Sequence, residues 1–228
     1  MTEPIRVLCT MGLAGVMNDL IPRFEKDAGH KVDAVFKPAN MLVVDIASGA
    51  PFDIAMLTAK LLDDEIARGT VVGSRLDVAR SCVGVTVAPG APLPDISTVE
   101  AFKKTLLAVR SIIFTAQGAS GQYFASLLPR LGIEKEIRAK ALIPDGGLVA
   151  QAVMRGEAEL GIQQVSEILA VPGSVLVGPI PADIQNYTTF SAGLAAKAQN
   201  VAGAKALLAR LADADTAAIA RSKGMETF

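Results

Sequence analysis

The sequence predicts an α/β protein built from two successive sets of strands and helices. Three observations carry this prediction. Apolar strand-like runs alternate with segments of helical spacing from the amino terminus onward, glycines and prolines punctuate the changes, and the texture shifts near Val83, where a second series of comparable size begins.

In the first series, "IRVLCT" reads as a strand. Leu13, Val16, Met17, Leu20, Ile21 and Phe24 then step by threes and fours, marking a helix that stops near Gly29. "KVDAVF" is the second strand, and a short helix from Leu42 to Ala47 closes at "SGAP". "FDIAML" is the third strand, followed by the helix "AKLLDDEIARG" with its terminal glycine. Such a βαβαβα series argues for a parallel sheet with helices on both faces.

In the second series, "VGVTVAPG" is an unusually apolar strand, "TVEAFKKTLLA" a helix and "SIIFT" a strand. "TAQGASGQYFASLLPRLG" turns through Gly118 and Gly121 into a helix with Tyr123, Phe124, Leu127, Leu128 and Leu131 on one face. "AKALI" (strand), "GGLVAQAVMRGE" (helix), "AELGIQ" (strand), "VSEIL" (helix) and "SVLVG" (strand) complete the set. "NYTTFSAGLAA" is a last strand, and two terminal helices have no sheet of their own. They are expected back on the first lobe, which makes it discontinuous: residues 1–83 and 190–228, with 84–189 inserted.

Composition excludes several functions. The chain is 228 residues long and 51% hydrophobic, yet no apolar run reaches the roughly 18–20 residues of a membrane-spanning helix. Lys plus Arg total 22 against 23 Asp plus Glu, so there is no electrostatic footprint for nucleic acid or a membrane surface. With 8 Phe, 2 Tyr and no Trp, stacking platforms are scarce. Cys9 and Cys82 sit in apolar segments and are expected as buried thiols without CxxC spacing. A single histidine, His30 at a helix-to-strand turn, removes most zinc and Ser–His–Asp chemistry. Neither metal nor cofactor is expected, and the expected state is a monomer. "MTEPIRVLCTMG" has no basic n-region, apolar h-region or cleavage site. The expected location is the cytoplasm if Met1 is the native start, and the periplasm if a leader has been removed.

In parallel α/β sheets, ligands sit beyond the carboxyl ends of the strands, where helices begin. The loops so placed supply the candidate binding residues: Thr10, Met11 and Gly12; Lys37, Asn40 and Met41; Gly118, Ser120 and Gly121; Gly147; Gln163 and Gln164. Small residues let backbone approach a ligand, and helix N-termini favour anions. None of the loops is a P-loop or a GxGxxG turn. Lys37, Asp145, Cys9 and His30 are candidate acid–base groups without catalytic spacing, so no catalytic residue is assigned. Glu167 and Ser166, in a first helical turn, read as capping residues.

The order of these segments resembles the molybdate-binding-protein branch of the type II periplasmic solute-binding proteins. The resemblance spans nearly the whole chain, through "PRFEKDAGHKVDAVF", "IASGAPFDIAMLTAKLLDDEIARG", "GASGQYFASLLPRLGI", "AVMRGEAELGI" and "IARSKGME". It implies a two-lobed fold of two doubly wound mixed sheets, with paired crossings near Arg80–Val85 and Thr188–Ala192 as a two-strand hinge. It also implies a solute-binding protein that closes on its ligand in the interlobe cleft, with an ABC permease as partner. The family places serine hydroxyls in its first two loops; here those positions read Gly12 and Asn40, with Thr10 nearby. A position that often carries tyrosine reads Gln163-Gln164. Amides that donate and accept, together with the Lys37 cation, suit a small carboxylate or polar organic ligand better than molybdate. The alternative is a cytoplasmic isomerase or hydrolase acting on a small carboxylate. A regulator's effector-binding module is disfavoured, because no DNA-binding segment accompanies the domain.

Overall fold

In the computed structural model, which describes residues 3–228, the chain leaves a first unit, builds a second and returns. The first unit is Met1–Arg80 with Thr188–Phe228, and the second is Ser81–Tyr187.

Strand β1 (Ile5–Thr10) passes through a 3-10 turn at Met11–Leu13 into α1 (Ala14–Ala28). Helix α1 buries Val16, Met17, Leu20 and Phe24 along one face, and Gly29 ends it at φ 69°, a left-handed conformation that suits glycine. β2 (Val32–Lys37), α2 (Ala39–Ala47), β3 (Ile54–Thr58) and α3 (Ala59–Ala67) continue the alternation. Helix α2 begins before the apolar spacing predicts. Pro38, at φ −52°, opens it by accepting from the N–H groups of Met41 and Leu42.

β4 (Val71–Val87) is much longer than the strand expected from Val83. Its first half is largely exposed and includes Gly73 at φ 79°, so it shows no apolar alternation to read. Then come α4 (Val99–Ala108), β5 (Ile112–Ile113), α5 (Ala119–Leu131), α6 (Glu134–Arg138), β6 (Ala141–Leu142), α7 (Val149–Met154), β7 (Leu160–Gln164), α8 (Val165–Leu169) and β8 (Val175–Pro179). α6 was not expected; with Ile137 as its one buried residue it is too short to show a period. β9 (Tyr187–Ala195), α9 (Val201–Leu211) and α10 (Ala214–Ser222) end the chain.

In the first unit the strand order is β2-β1-β3-β9, with β9 antiparallel to an otherwise parallel set. Successive side chains of β1 point to opposite faces. Ile5, Val7 and Cys9 pack with Leu20 and Phe24 of α1 and with Leu207, Leu211 and Ile219 of α9 and α10. Leu8 packs on the other face with Leu42 and Ile46 of α2 and Leu62 of α3. The terminal helices therefore share a core with the first strand. Asp53, fully buried at the start of β3, locks this closure. Its carboxylate accepts from the N–H groups of Arg6 (2.8 Å), Gln199 (2.6 Å) and Asn200 (3.1 Å).

In the second unit β4 lies between β8 and β7, antiparallel to both, and β7-β5-β6 are parallel. Val83, Val85 and Ile162 pack with Phe102 of α4 and Phe124 and Leu127 of α5, with Phe114 edge-on to Phe124 at 5.1 Å between ring centres. The opposite face carries Ile113 against Val149 and Val153 of α7. Both sheets are mixed. Cys82 is half-buried, not buried as expected, and among the described residues no helix is long and apolar enough to cross a membrane.

Candidate functional site

Each unit gathers its candidates at the carboxyl ends of its own parallel strands. In the first unit β1 and β2 run in register to their last residues, Thr10 opposite Lys37. The turn carrying Thr10, Met11 and Gly12 therefore lies beside the start of α2, which carries Asn40 and Met41. Thr58, not among the sequence candidates, ends the neighbouring parallel strand β3 in the same way. Neither the Thr10 nor the Thr58 hydroxyl caps the helical turn that follows it. The pattern strand–Thr–helix, repeated in "LCTMGL" and "MLTAKL", is the trace that could have revealed Thr58. Lys37 is half-exposed, and its Nζ lies 2.7 Å from Asp45 Oδ2, so part of its charge is already answered within the unit.

The second unit is tied more tightly. The N–H groups of Ala116 and Gln117 donate to the carbonyls of Pro144 (2.8 Å) and Asp145 (3.1 Å). These bonds hold the loop carrying Gly118, Ser120 and Gly121 against the loop carrying Gly147. The Gln163 amide then clamps that second loop: Nε2 donates to Gly147 O at 2.8 Å, and Oε1 accepts from Val149 N at 2.7 Å. A side chain used twice in this way positions backbone. Gln163 and Gln164 are both buried at the end of β7.

The glycines are small for internal reasons, where the sequence suggested room for a ligand. A Cβ on Gly12 would lie 2.3 Å from the Phe190 ring, and one on Gly118 2.3 Å from Thr115 Oγ1. On Gly121 it would lie 1.9 Å from Thr115 O, closer than any real contact. Gly147 has open space around its Cα but sits at φ 104°, so its requirement is conformational.

The acid–base candidates separate clearly. Cys9 is sealed in the core of the first unit; burial pushes its thiol far up, and Sγ donates to Thr10 O. His30 stacks on Phe24 before β2 begins, at the opposite end of the strand from Lys37. Asp145 is exposed. Tyr123 donates to Ile184 O at 2.7 Å and packs on the core of the second unit.

The residue that sequence reasoning undervalued is Glu167. As the third residue of α8 its side chain turns back toward the end of β7, where Oε2 accepts from Gln164 N at 3.4 Å, a capping geometry. It is nevertheless a buried carboxyl. Burial pushes it up to about 7, against the opposing pull of the bonds from Gln164 N–H and the Gln163 side chain. Its trace in the sequence is the absence of any Lys, Arg or His between Arg155 and Lys197.

Comparison with known proteins agrees with this architecture. The chain is 36% identical to an aconitate isomerase from a Pseudomonas species over 229 aligned residues, covering 97% of this chain and 87% of that one. It is 27% identical to the molybdate-binding protein ModA of Azotobacter vinelandii, covering 90% and 82%. The solved structure of the Azotobacter vinelandii periplasmic molybdate-binding protein superposes with a TM-score of 0.84 at 19% identity, covering 97% and 98%, so the fold is that of the two-lobed periplasmic binding proteins. The sequence profile of one family matches residues 5–226, nearly the whole chain, and by that match the protein belongs to the bacterial extracellular solute-binding proteins.

Proposed function

We propose that this chain binds a small polycarboxylate at its strand-end loops and interconverts its double-bond isomers, as the related aconitate isomerase does with aconitate. The observation that carries the reading is Glu167. A receptor for a fully ionised oxyanion is served by donors alone, and a carboxyl buried beside its loops would oppose the ligand's charge. A proton-transfer catalyst needs such a group, held near neutrality. The amides of Asn40 and Gln164, the N-termini of α2 and α5 and the Lys37 ammonium suit carboxylate oxygens.

In this reading residues 1–83 with 190–228 form one lobe and 84–189 the other. The crossings near Arg80–Val85 and Thr188–Ala192 act as a two-strand hinge in this reading. The test is direct: cis- and trans-aconitate are incubated separately with the purified protein and the vinyl protons followed by NMR. Conversion of each isomer toward the same equilibrium mixture supports the proposal. Tight binding without conversion sinks the isomerase.

A second reading is favoured by the relationship to ModA: a receptor that delivers a carboxylate solute to an ABC permease. It predicts that aconitate or a similar acid raises the melting temperature without being changed. Stabilisation by molybdate and not by any carboxylate would refute both readings.

A further inference from the structure

We propose that Glu167 is the residue that carries the moving proton, an assignment that rests on the isomerase reading above. Its position is the first argument. Helical side chains lean toward the N-terminus of their helix, so a glutamate at the third position of α8 sends its carboxyl back over the end of β7, beside Gln163 and Gln164. That strand end is bound through the Gln163 amide to the Gly147 loop, and through Pro144 and Asp145 to the loop before α5. Glu167 thus shares a hydrogen-bonded framework with Gln163, Gln164 and Gly147, and through it with the loop carrying Gly118, Ser120 and Gly121.

Its surroundings are the second argument. The elements packed against α8 include β7, β8 and α7, and β4 joins them: Ser81 Oγ accepts from Ser166 N at 3.1 Å, and Gly84 lies against Val165. β7, β8 and α7 contain no charged residue, and Glu167 is the one charged residue of α8 itself; β4 carries Arg75, Asp77 and Arg80, of which Arg75 is paired with Asp63 and Asp77, and Arg80 with Glu226. Flanking these elements are the exposed Asp145 before α7, Arg155 after it, paired with Glu157, and Glu159 before β7, paired with Arg110. The carboxyl is bonded by the Gln164 N–H and the Gln163 side chain, and the β4 arginines are engaged by other carboxylates. Burial brings its titration near neutrality, where one group can accept and return a proton at similar cost. The other acid–base candidates fare worse: Cys9 is sealed in a core, His30 lies at the far strand end, and Lys37 is ion-paired with Asp45.

The step balances with this one group. The Glu167 carboxylate takes a proton from the saturated carbon next to the double bond, and the released C–H electron pair forms a new C=C bond. The old double bond's electron pair accepts the proton from the Glu167 carboxyl at the far carbon, which restores the carboxylate. Nothing is oxidised or reduced, and no group leaves.

A purely capping role predicts something different, because glutamine satisfies the same cap. The experiment compares wild type with Glu167→Gln and Glu167→Asp, measuring turnover of both aconitate isomers and calorimetric binding of tricarballylate, the saturated analogue. If Glu167 carries the proton, E167Q binds tricarballylate within about threefold of wild type and loses turnover by about a hundredfold or more. E167D retains part of the rate, and wild-type kcat/KM rises with pH through about 7. Turnover by E167Q within about tenfold of wild type overturns the assignment while leaving the isomerase reading intact. Parallel loss of binding and turnover overturns it in favour of a structural role. A wild-type protein inert toward both isomers overturns the isomerase reading and the assignment with it.

Discussion

Replacing Glu167 by glutamine should change the pH dependence of folding, and by a calculable amount. The carboxyl titrates near its ordinary value of 4.5 when the chain is unfolded and at about 7 when folded. A difference of one pH unit between the two states is about 1.4 kcal/mol, so the folded protein carries a penalty of about 3 kcal/mol once Glu167 is fully ionised. The direction follows from the raised value. Below 4.5 the carboxyl is neutral in both states and its contribution is fully retained. Between 4.5 and about 7 the unfolded chain loses its proton while the folded one keeps it, and stability falls; above about 7 the loss is complete. Glutamine does not titrate, so E167Q should gain on wild type by up to about 3 kcal/mol as the pH is raised from acid to mildly alkaline. Urea unfolding of both proteins across that range, followed by circular dichroism, measures the gap. A gap that stays constant with pH would mean that Glu167 titrates normally, and the reasoning about its burial would fail.

Other substitutions test the framework around it. Gly121→Ala would force a methyl to 1.9 Å from the Thr115 carbonyl oxygen; a loss of about 3 kcal/mol is expected by thermal unfolding, and unchanged stability would contradict the packing of that loop. Gln163→Leu removes the partners of Gly147 O and Val149 N, at about 1–3 kcal/mol for each group left unsatisfied, and should speed amide exchange at Val149. Lys37→Met breaks a half-exposed ion pair and should change stability by less than about 1 kcal/mol, yet weaken carboxylate binding; unaltered binding by calorimetry removes Lys37 from the site. Asp53→Ala deletes the acceptor for three backbone N–H groups and should cost about 3 kcal/mol. Burial raises the Asp53 carboxyl, but the bonds from Arg6, Asn200 and Gln199 outweigh it and hold the value low. Its stabilisation is therefore present above the ordinary carboxylate range and lost on acidification, a loss that the alanine variant should not show.

Where a segment is long and half-buried, its apolar period announced it. Helix α1, with Val16, Met17, Leu20 and Phe24 at helical steps and Gly29 as terminator, is such a case. The strand β1, buried except at Arg6, was equally plain. The first half of β4 was not, because a largely exposed strand has no apolar face to show. The five-residue α6 was invisible because it is shorter than two turns.

The sequence alone determined the alternation of strands and helices, the return of the last two helices to the first unit, and which loops follow strand ends. These are consequences of local period and of burying apolar faces. Tertiary structure decided what those loops are made to do. That Gly121 is small because of Thr115, that Gln163 is a clamp on Gly147 and Val149, and that Glu167 is a buried carboxyl all depend on neighbours brought together by the fold. Hydrogen-bond partners and desolvation are properties of three-dimensional neighbours, and no period along the chain encodes them.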